Sequence, residues 1–492
     1  MTNNNLKQKA TSGIIWTGLQ KYSVTIIGFI AGIILARLLT PYDYGCIGML
    51  SIFIVIAETF IDGGFGSALI QKKRPTQEDY TTIFIWNFGV AVFLYIVLYY
   101  SAPAIARFYN IPLLSSVLRV QGIILFIYAF NIVQRNQLQK KLNFKVLSVV
   151  TITSSVIALT VTIIMAYHGF GVWALVALHI LNAAVSALFL WFYVKWRPIW
   201  AFSWKSFKEL FSFGLYVFLV NILNTISGRF QGLLIGKFFN PSIMGYYSKA
   251  GRTEYYASNS ISSIVQQVAY PLYAEVQDDK NKLGNMIRRL TMILAYLTFP
   301  MMFILMLCAK PIFILLYSDR WLESVPYFQI LCIAGLAICL QAVNVMSISA
   351  IGKSKTMFYW TAVKRLIGIG FVVIGLFSYG MIGLLIGAIL NQWFSYFVNI
   401  CLVSKYIGYK WWKQLWDILP IGLVSVMAAI ISYYVGVLCH FPLYIDGLLK
   451  FFVYTIVYIG WSLMVKQEAY CYTKNIIAPM ISKYVRRTKV LV

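Results

Sequence analysis

The chain has 492 residues, of which 60% are hydrophobic and only 11% charged. Ordinary soluble domains carry about a quarter charged residues, so this composition excludes a soluble globular protein and describes a polytopic membrane protein. A net charge of +26 would point to nucleic acid in a soluble chain; here Lys- and Arg-rich cytoplasmic loops account for it, and no nucleic-acid partner is expected.

In chain order, the polar start from Met1 to Gly13 carries Lys7 and Lys9. The apolar run that follows is long enough to span a bilayer and has no small-residue cleavage site, so it reads as a retained first helix. Windows of about 20 apolar residues predict an all-α chain with fourteen membrane spans: 14–36, 43–66, 82–102, 113–133, 146–167, 172–194, 210–236, 242–272, 290–309, 326–350, 358–378, 382–404, 417–438 and 448–465. The connections alternate in charge. Lys72, Lys73 and Arg74, then Arg135, Lys140, Lys141 and Lys145, then Lys195, Arg197, Lys205 and Lys208 fall on one side, as do later clusters up to the tail. The other side holds single cations such as Arg37, Arg107 and Lys237. The positive-inside rule therefore predicts both termini in the cytoplasm. Stretches 134–145 and 195–209 mix cations with Trp196, Trp200 and Trp204 and are expected to be helices lying at headgroup level.

The chain also echoes itself. Arg37-Leu38-Leu39-Thr40-Pro41 followed by Gly45 lines up with Lys237-Phe238-Phe239-Asn240-Pro241 followed by Gly245. Pro103 to Tyr109 resembles Pro311 to Tyr317, and Gly169-Phe170-Gly171 precedes a span as Gly380-Met381-Ile382-Gly383 does. An even number of spans separates the two copies, so the repeats are parallel. The expected division is an N-lobe at 1–205 (spans 1 to 6), a C-lobe at 206–404 (spans 7 to 12), and 405–492 with spans 13 and 14 and a basic tail.

Five cations, Lys21, Arg119, Arg229, Lys249 and Arg252, fall within or near spans. A charge at the bilayer centre costs about 2.5–3.5 kcal/mol on insertion scales, so such groups are expected to face a wet cavity. Span 7 shows Asn221, Thr225 and Arg229 at successive turns, with Asn224, Gly228 and Gln231 beside them. Span 8 carries Lys249, Arg252, Tyr256, Asn259, Ser263 and Gln266 on one flank. These stripes line a cavity or hydrogen-bond neighbouring helices within a lobe. Glu58 and Asp62 lie one turn apart, and either bind a coupling H⁺ or Na⁺ or neutralise Lys21 or Arg119. Gly63, Gly64 and Gly66 after them permit close packing or a hinge.

Motifs for chemistry are missing. The seven cysteines form no Cys-x-x-Cys, and the three histidines have no metal-site spacing. Gly352-Lys353-Ser354 looks like the end of a P-loop, but Ser347 stands where the first glycine belongs. No metallopeptidase helix motif or serine nucleophile elbow occurs. The chain is expected to use no metal or cofactor, to be no enzyme, and to draw energy from ion, electrical or substrate gradients.

Leu35-Ala36-Arg37-Leu38-Leu39-Thr40-Pro41 and then Phe60-Ile61-Asp62-Gly63-Gly64-Phe65-Gly66-Ser67-Ala68-Leu69-Ile70-Gln71 resemble the start of polysaccharide flippases of the Wzx/WzxC type. Ala102-Pro103 through Phe108-Tyr109, Gly169 to Leu175, and Gly245-Tyr246-Tyr247 continue the resemblance, which reaches to about residue 410. It implies the multidrug/oligosaccharidyl-lipid/polysaccharide exporter superfamily, with two six-helix lobes around a central cavity and alternating access. It implies transfer of an undecaprenyl-diphosphate-linked oligosaccharide from the cytoplasmic to the outer leaflet of the bacterial inner membrane, for lipopolysaccharide or exopolysaccharide synthesis. Spans 13 and 14 are similar in placement to the extra pair that forms a lipid groove in lipid II flippases. The expected partners are that substrate, membrane lipids, H⁺ or Na⁺, and a polymerase or glycosyltransferase. On this reading Lys21, Arg119, Arg229, Lys249 and Arg252 attract the diphosphate, while Asn221, Asn224, Thr225, Tyr256 and Asn259 suit sugar hydroxyls. Glu58 and Asp62 are the ion-coupling candidates. The alternatives are a cation-coupled multidrug exporter of the same fold, and a membrane glycosyltransferase or polymerase built around Asp319 and Glu323.

Overall fold

A computed structural model describes residues 3–199 and 201–474. Trp200 and the tail cations beyond residue 474 lie outside them. The first half of the chain forms α1 (Asn3–Leu38), α2 (Pro41–Asp62), α3 (Phe65–Gln71), α4 (Gln77–Tyr109), α5 (Leu113–Gln121), α6 (Ile124–Lys140), α7 (Phe144–Tyr167) and α8 (Val172–Tyr193). There follow α9 (Trp204–Phe238), α10 (Pro241–Glu275), α11 (Lys280–Leu307), α12 (Ala309–Tyr317), a 3-10 turn at Asp319–Trp321, α13 (Ser324–Ala350), α14 (Ser354–Ile407), α15 (Trp411–Cys439) and α16 (Leu443–Met464). No strand occurs among the described residues. Twelve of the helical stretches are long and apolar enough to cross a membrane, so this is a multi-pass membrane protein.

Twelve is two fewer than the predicted fourteen, for two reasons. Residues 354–407 count once among the twelve, but Tyr379 and Gly380 leave helical geometry and divide them into two helices, matching the separate stretches 358–378 and 382–404. The glycines of the two halves meet face to face: an added Cβ at Gly375 would strike the Gly383 carbonyl, and one at Gly383 the Gly375 carbonyl. The second missing span is α10, which is helical over 35 residues but too polar to qualify by hydropathy.

The headgroup-level helices expected at 134–145 and 195–209 are corrected. Residues 134–140 extend α6, because Gln134, Asn136 and Gln137 are buried and keep that helix inside the bundle. Residues 195–199 are irregular, and 204–209 open α9.

The chain divides into two compact units, Met1–Ser248 and Lys249–Val492. In the first, local chemistry sets the helix starts. Thr40 caps α2 in a reciprocal box with Asp43, with Pro41 in the first turn, and Thr76 and Asp79 do the same for α4. Asn240 caps α10 through its side chain (2.9 Å to the Ile243 N–H). Gly63 and Gly64 both take left-handed backbone, which ends α2 and starts α3. Gly64 then lies against the Gly214 backbone of α9, where a Cβ would collide.

The sequence echoes have counterparts in space. Within the first unit, Gly45 abuts the Pro241 carbonyl and Gly245 abuts the Pro41 carbonyl, so each copy of the motif seats on the other. Tyr109 reaches back to α2 at the Met49 carbonyl (3.4 Å), and in the second unit Tyr317 reaches α10 at Thr253 (3.0 Å). Gly171 (φ 53°, ψ −128°) and Gly380 (φ 59°, ψ −134°) share one backbone conformation.

The second unit is held by buried polar links as well as apolar packing. Arg288 of α11 bonds Asp417 of α15 with two nitrogens (2.8 and 2.9 Å) and Glu468 with one (2.7 Å). Lys364, 6% exposed, donates to Asn399 (2.7 Å), whose amide reaches Gln341 of α13 (3.4 Å). Gly352 and Lys353 form the turn between α13 and α14.

Candidate functional site

In the first unit, α2 and α9 lie side by side. Their contact includes the Thr59 and Thr225 hydroxyls (3.2 Å) and the Phe60 and Phe218 rings (5.0 Å). Helical spacing then sets the polar stripe of α9 along this seam. Thr225 is half-buried in it, while Asn221, Asn224 and Arg229 remain exposed. Glu58, half-buried on α2, lies near enough to Arg229 for the guanidinium charge to act on it, without an ion pair between them.

Asp62, one turn further, has different surroundings. Its carboxylate lies against the N–H groups of Gly64 and Gly66, which turn the chain from α2 into α3. Arg229 acts on Glu58 and is not among the groups around Asp62. Lys21 sits half-buried on α1, next to Gln20, whose amide reaches Thr151 of α7 (3.1 Å). Arg119 is held by α4: its Nε donates to the Tyr99 carbonyl (3.2 Å), and its guanidinium lies 4.4 Å from the Tyr99 ring centre.

Glu58 also borders a cavity of about 240 Å³ inside the first unit. Tyr128, Asn131 and Arg135 of α6, Thr151 and Ser154 of α7, and Asn182 and Ser186 of α8 complete its polar lining. The sequence reading missed this cavity. Its signal was the i, i+3, i+7 spacing of Tyr128, Asn131 and Arg135, but span 4 was ended at residue 133 and Arg135 counted as a loop cation. The buried amides that extend α6 bring Arg135 back to the helix.

In the second unit, α10 distributes its charges unequally. Lys249 is only 5% exposed, and its Nζ lies 4.5 Å from the Tyr317 ring centre and 5.0 Å from that of Trp321. It is thus clasped by aromatic faces. Arg252 is exposed and donates to the Tyr256 hydroxyl (3.0 Å). Tyr256, Asn259 and Gln266 are half-buried, and Ser263 is buried. Glu254, the carboxylate in the middle of α10, was overlooked. It is 7% exposed, and its Oε1 occupies space that any side chain on Gly335 of α13 would need. Asp319 and Glu323, in the turn between α12 and α13, are both exposed.

The first unit thus presents the exposed Arg229 guanidinium and the amides of Asn221 and Asn224 on α9, beside half-buried Glu58 and Thr225, and the second unit presents the exposed Arg252 guanidinium on α10. Groups of this kind can attract an anion and bond sugar hydroxyls. The family model described as "Polysaccharide biosynthesis protein" matches residues 34–326. The teichuronic acid biosynthesis protein TuaB of Bacillus subtilis (strain 168) is 26% identical over 358 residues, covering 72% of this chain and 74% of that protein. The lipopolysaccharide biosynthesis protein WzxC of Escherichia coli (strain K12) is 24% identical over 443 residues, covering 88% of this chain and 89% of that protein. Among solved structures, the lipid II flippase MurJ in an inward closed conformation superimposes with a TM-score of 0.72 at 16% identity, over 92% of this chain and 99% of that one.

Proposed function

Because the chain belongs to the polysaccharide biosynthesis protein family, we propose that it is a flippase for a lipid-linked oligosaccharide. The substrate is an undecaprenyl-diphosphate-linked sugar repeat, moved from the cytoplasmic to the outer leaflet of the bacterial inner membrane by alternating access. The product feeds a surface polysaccharide, with a polymerase or glycosyltransferase as partner. The protein itself acts as a transporter and not as an enzyme.

The observation that carries this reading is the polar face of α9, where Asn221, Asn224 and Arg229 stay exposed on an otherwise apolar membrane helix. Such groups are costly against hydrocarbon and favourable against an aqueous path or a polar cargo. Arg229 in the first unit and Arg252 in the second are each exposed and each able to bond a phosphate in bidentate fashion. The nearby amides and Tyr256 suit sugar hydroxyls. The exposed charges within the polar stripes, Arg229 and Arg252, are cationic, whereas the exposed Glu209 and Glu275 lie near helix ends; this suits an anionic cargo and not the organic cations of a drug exporter. The membrane potential acts in the same direction. Moving two negative charges outward gains about 4–5 kcal/mol at ~100 mV, inside negative. Glu58 is the group that takes up H⁺ or Na⁺, because it is partly buried, borders a polar cavity and forms no ion pair with Arg229.

The test is complementation of a flippase-deficient strain. Arg229→Ala combined with Arg252→Ala should lower surface polymer by about tenfold or more, since hydrogen bonds to charged groups contribute about 1.5–3 kcal/mol each. Full polymer display by the membrane-inserted double variant removes the cationic path.

A further inference from the structure

The first unit contains another cavity, of about 760 Å³, at the ends of three of its helices. Gln77 and Tyr80 from the start of α4, Gln137 and Lys141 from the end of α6, and Lys195 and Trp196 beyond α8 form its walls. A volume of this size is typical of small-molecule sites.

The walls are built, not incidental. Gln77 donates to the Arg197 carbonyl (2.7 Å), tying α4 to the segment after α8. The Arg197 guanidinium donates in turn to the carbonyls of Trp191, Val194 and Trp196 (3.0, 2.9 and 2.8 Å). The Tyr80 and Trp196 rings meet edge to face at 6.3 Å. Lys140 spends its ammonium on the carbonyls of Leu69, Ile70 and Lys72, which closes the end of α3.

Two features of the cavity remain uncommitted. Lys141 and Lys195 are exposed and enter no ion pair. Gln137 is only 5% exposed, yet its side-chain amide bonds no described residue and faces the cavity. No carboxylate lines the cavity. Cations with a hydrogen-bonding amide, framed by tyrosine and tryptophan at the level where helices leave the bilayer, match a phosphorylated lipid headgroup. We propose that this cavity binds the phosphate-bearing headgroup of a membrane lipid, with Lys141 and Lys195 on the phosphate and Gln137 on a neighbouring hydroxyl. The proposal goes beyond the flippase reading and needs only a multi-pass protein, so the two fail separately.

The chemistry is shared by an anionic phospholipid and by a prenyl phosphate. Native mass spectrometry of the purified full-length chain separates them, with phosphatidylglycerol, undecaprenyl phosphate and inorganic phosphate as probes and phosphatidylcholine as the zwitterionic control. Lys141→Gln with Lys195→Gln should lower retention of the anionic lipid by about thirtyfold, at roughly 1 kcal/mol per cation near a membrane surface. Lys141→Arg with Lys195→Arg should retain it. Lys405→Gln with Lys413→Gln, which removes the same charge from exposed residues of the second unit that do not line the cavity, should change retention by less than about twofold. Preference for phosphatidylglycerol identifies a bilayer-lipid site, and preference for undecaprenyl phosphate a station for the cargo's own class. Displacement of either by inorganic phosphate reduces the determinant to the phosphate group. Equal retention by the glutamine variant, equal binding of phosphatidylcholine, or an equal loss in the control pair overturns the proposal.

Discussion

Glu58 and Asp62 sit one turn apart on α2, yet packing gives them separate roles. Asp62 is satisfied by the backbone at the α2–α3 break, whereas Glu58 meets a cavity and the field of Arg229. If Glu58 is the coupling group, Glu58→Gln should make transport in proteoliposomes insensitive to an imposed H⁺ or Na⁺ gradient, and Asp62→Asn should stay sensitive. Equal sensitivity of Glu58→Gln and the parent protein rejects the assignment. Arg288 poses a stability question at the same scale. Its partner Asp417 has a side chain only 10% exposed. Arg288→Ala strands that carboxylate and should cost about 2–4 kcal/mol, measured by denaturation in detergent. Arg288→Lys should recover only part of this, because an ammonium cannot make the two-nitrogen contact.

Among elements, the pairing of the α2 and α10 starts is the most constrained. Gly45 and Gly245 each press on the proline carbonyl of the other motif. Gly45→Ala or Gly245→Ala should destabilise by about 1–3 kcal/mol, the cost of overpacking a close contact. Both contacts set one interhelix distance, so the first methyl opens the gap that the second requires. The double variant should therefore fall short of the sum by about 1 kcal/mol in a double-mutant cycle. Strict additivity would mean that the two ends move independently. A similar backbone-to-backbone approach folds the halves of α14 together at Gly375 and Gly383.

For the whole molecule, the alternation of helix ends makes a topological prediction. In a background without its seven cysteines, Asn110→Cys and His168→Cys should react with an impermeant maleimide on intact cells. Lys73→Cys and Lys353→Cys should react only after the membrane is opened. Labelling of Lys73→Cys from outside would invert the orientation and the direction of transport with it.

Much of the fold was legible in the sequence because the responsible forces are local. Transfer of apolar residues into lipid adds residue by residue, which marks the spans, and Thr40, Pro41 and Thr76 state where helices begin through bonds to their own backbone. The paired glycine motifs share local geometry, since Gly171 and Gly380 take one backbone conformation. What the tertiary structure alone decided is partnership across distance. Which cation stands beside Glu58, that Lys364 is buried against Asn399, that Lys249 is clasped by Tyr317 and Trp321, and that Arg135 belongs to a helix all depend on which faces packing brings together. A polar residue on a membrane helix reveals its cost in the sequence, but the group that offsets that cost comes from another part of the chain, and only folding selects it.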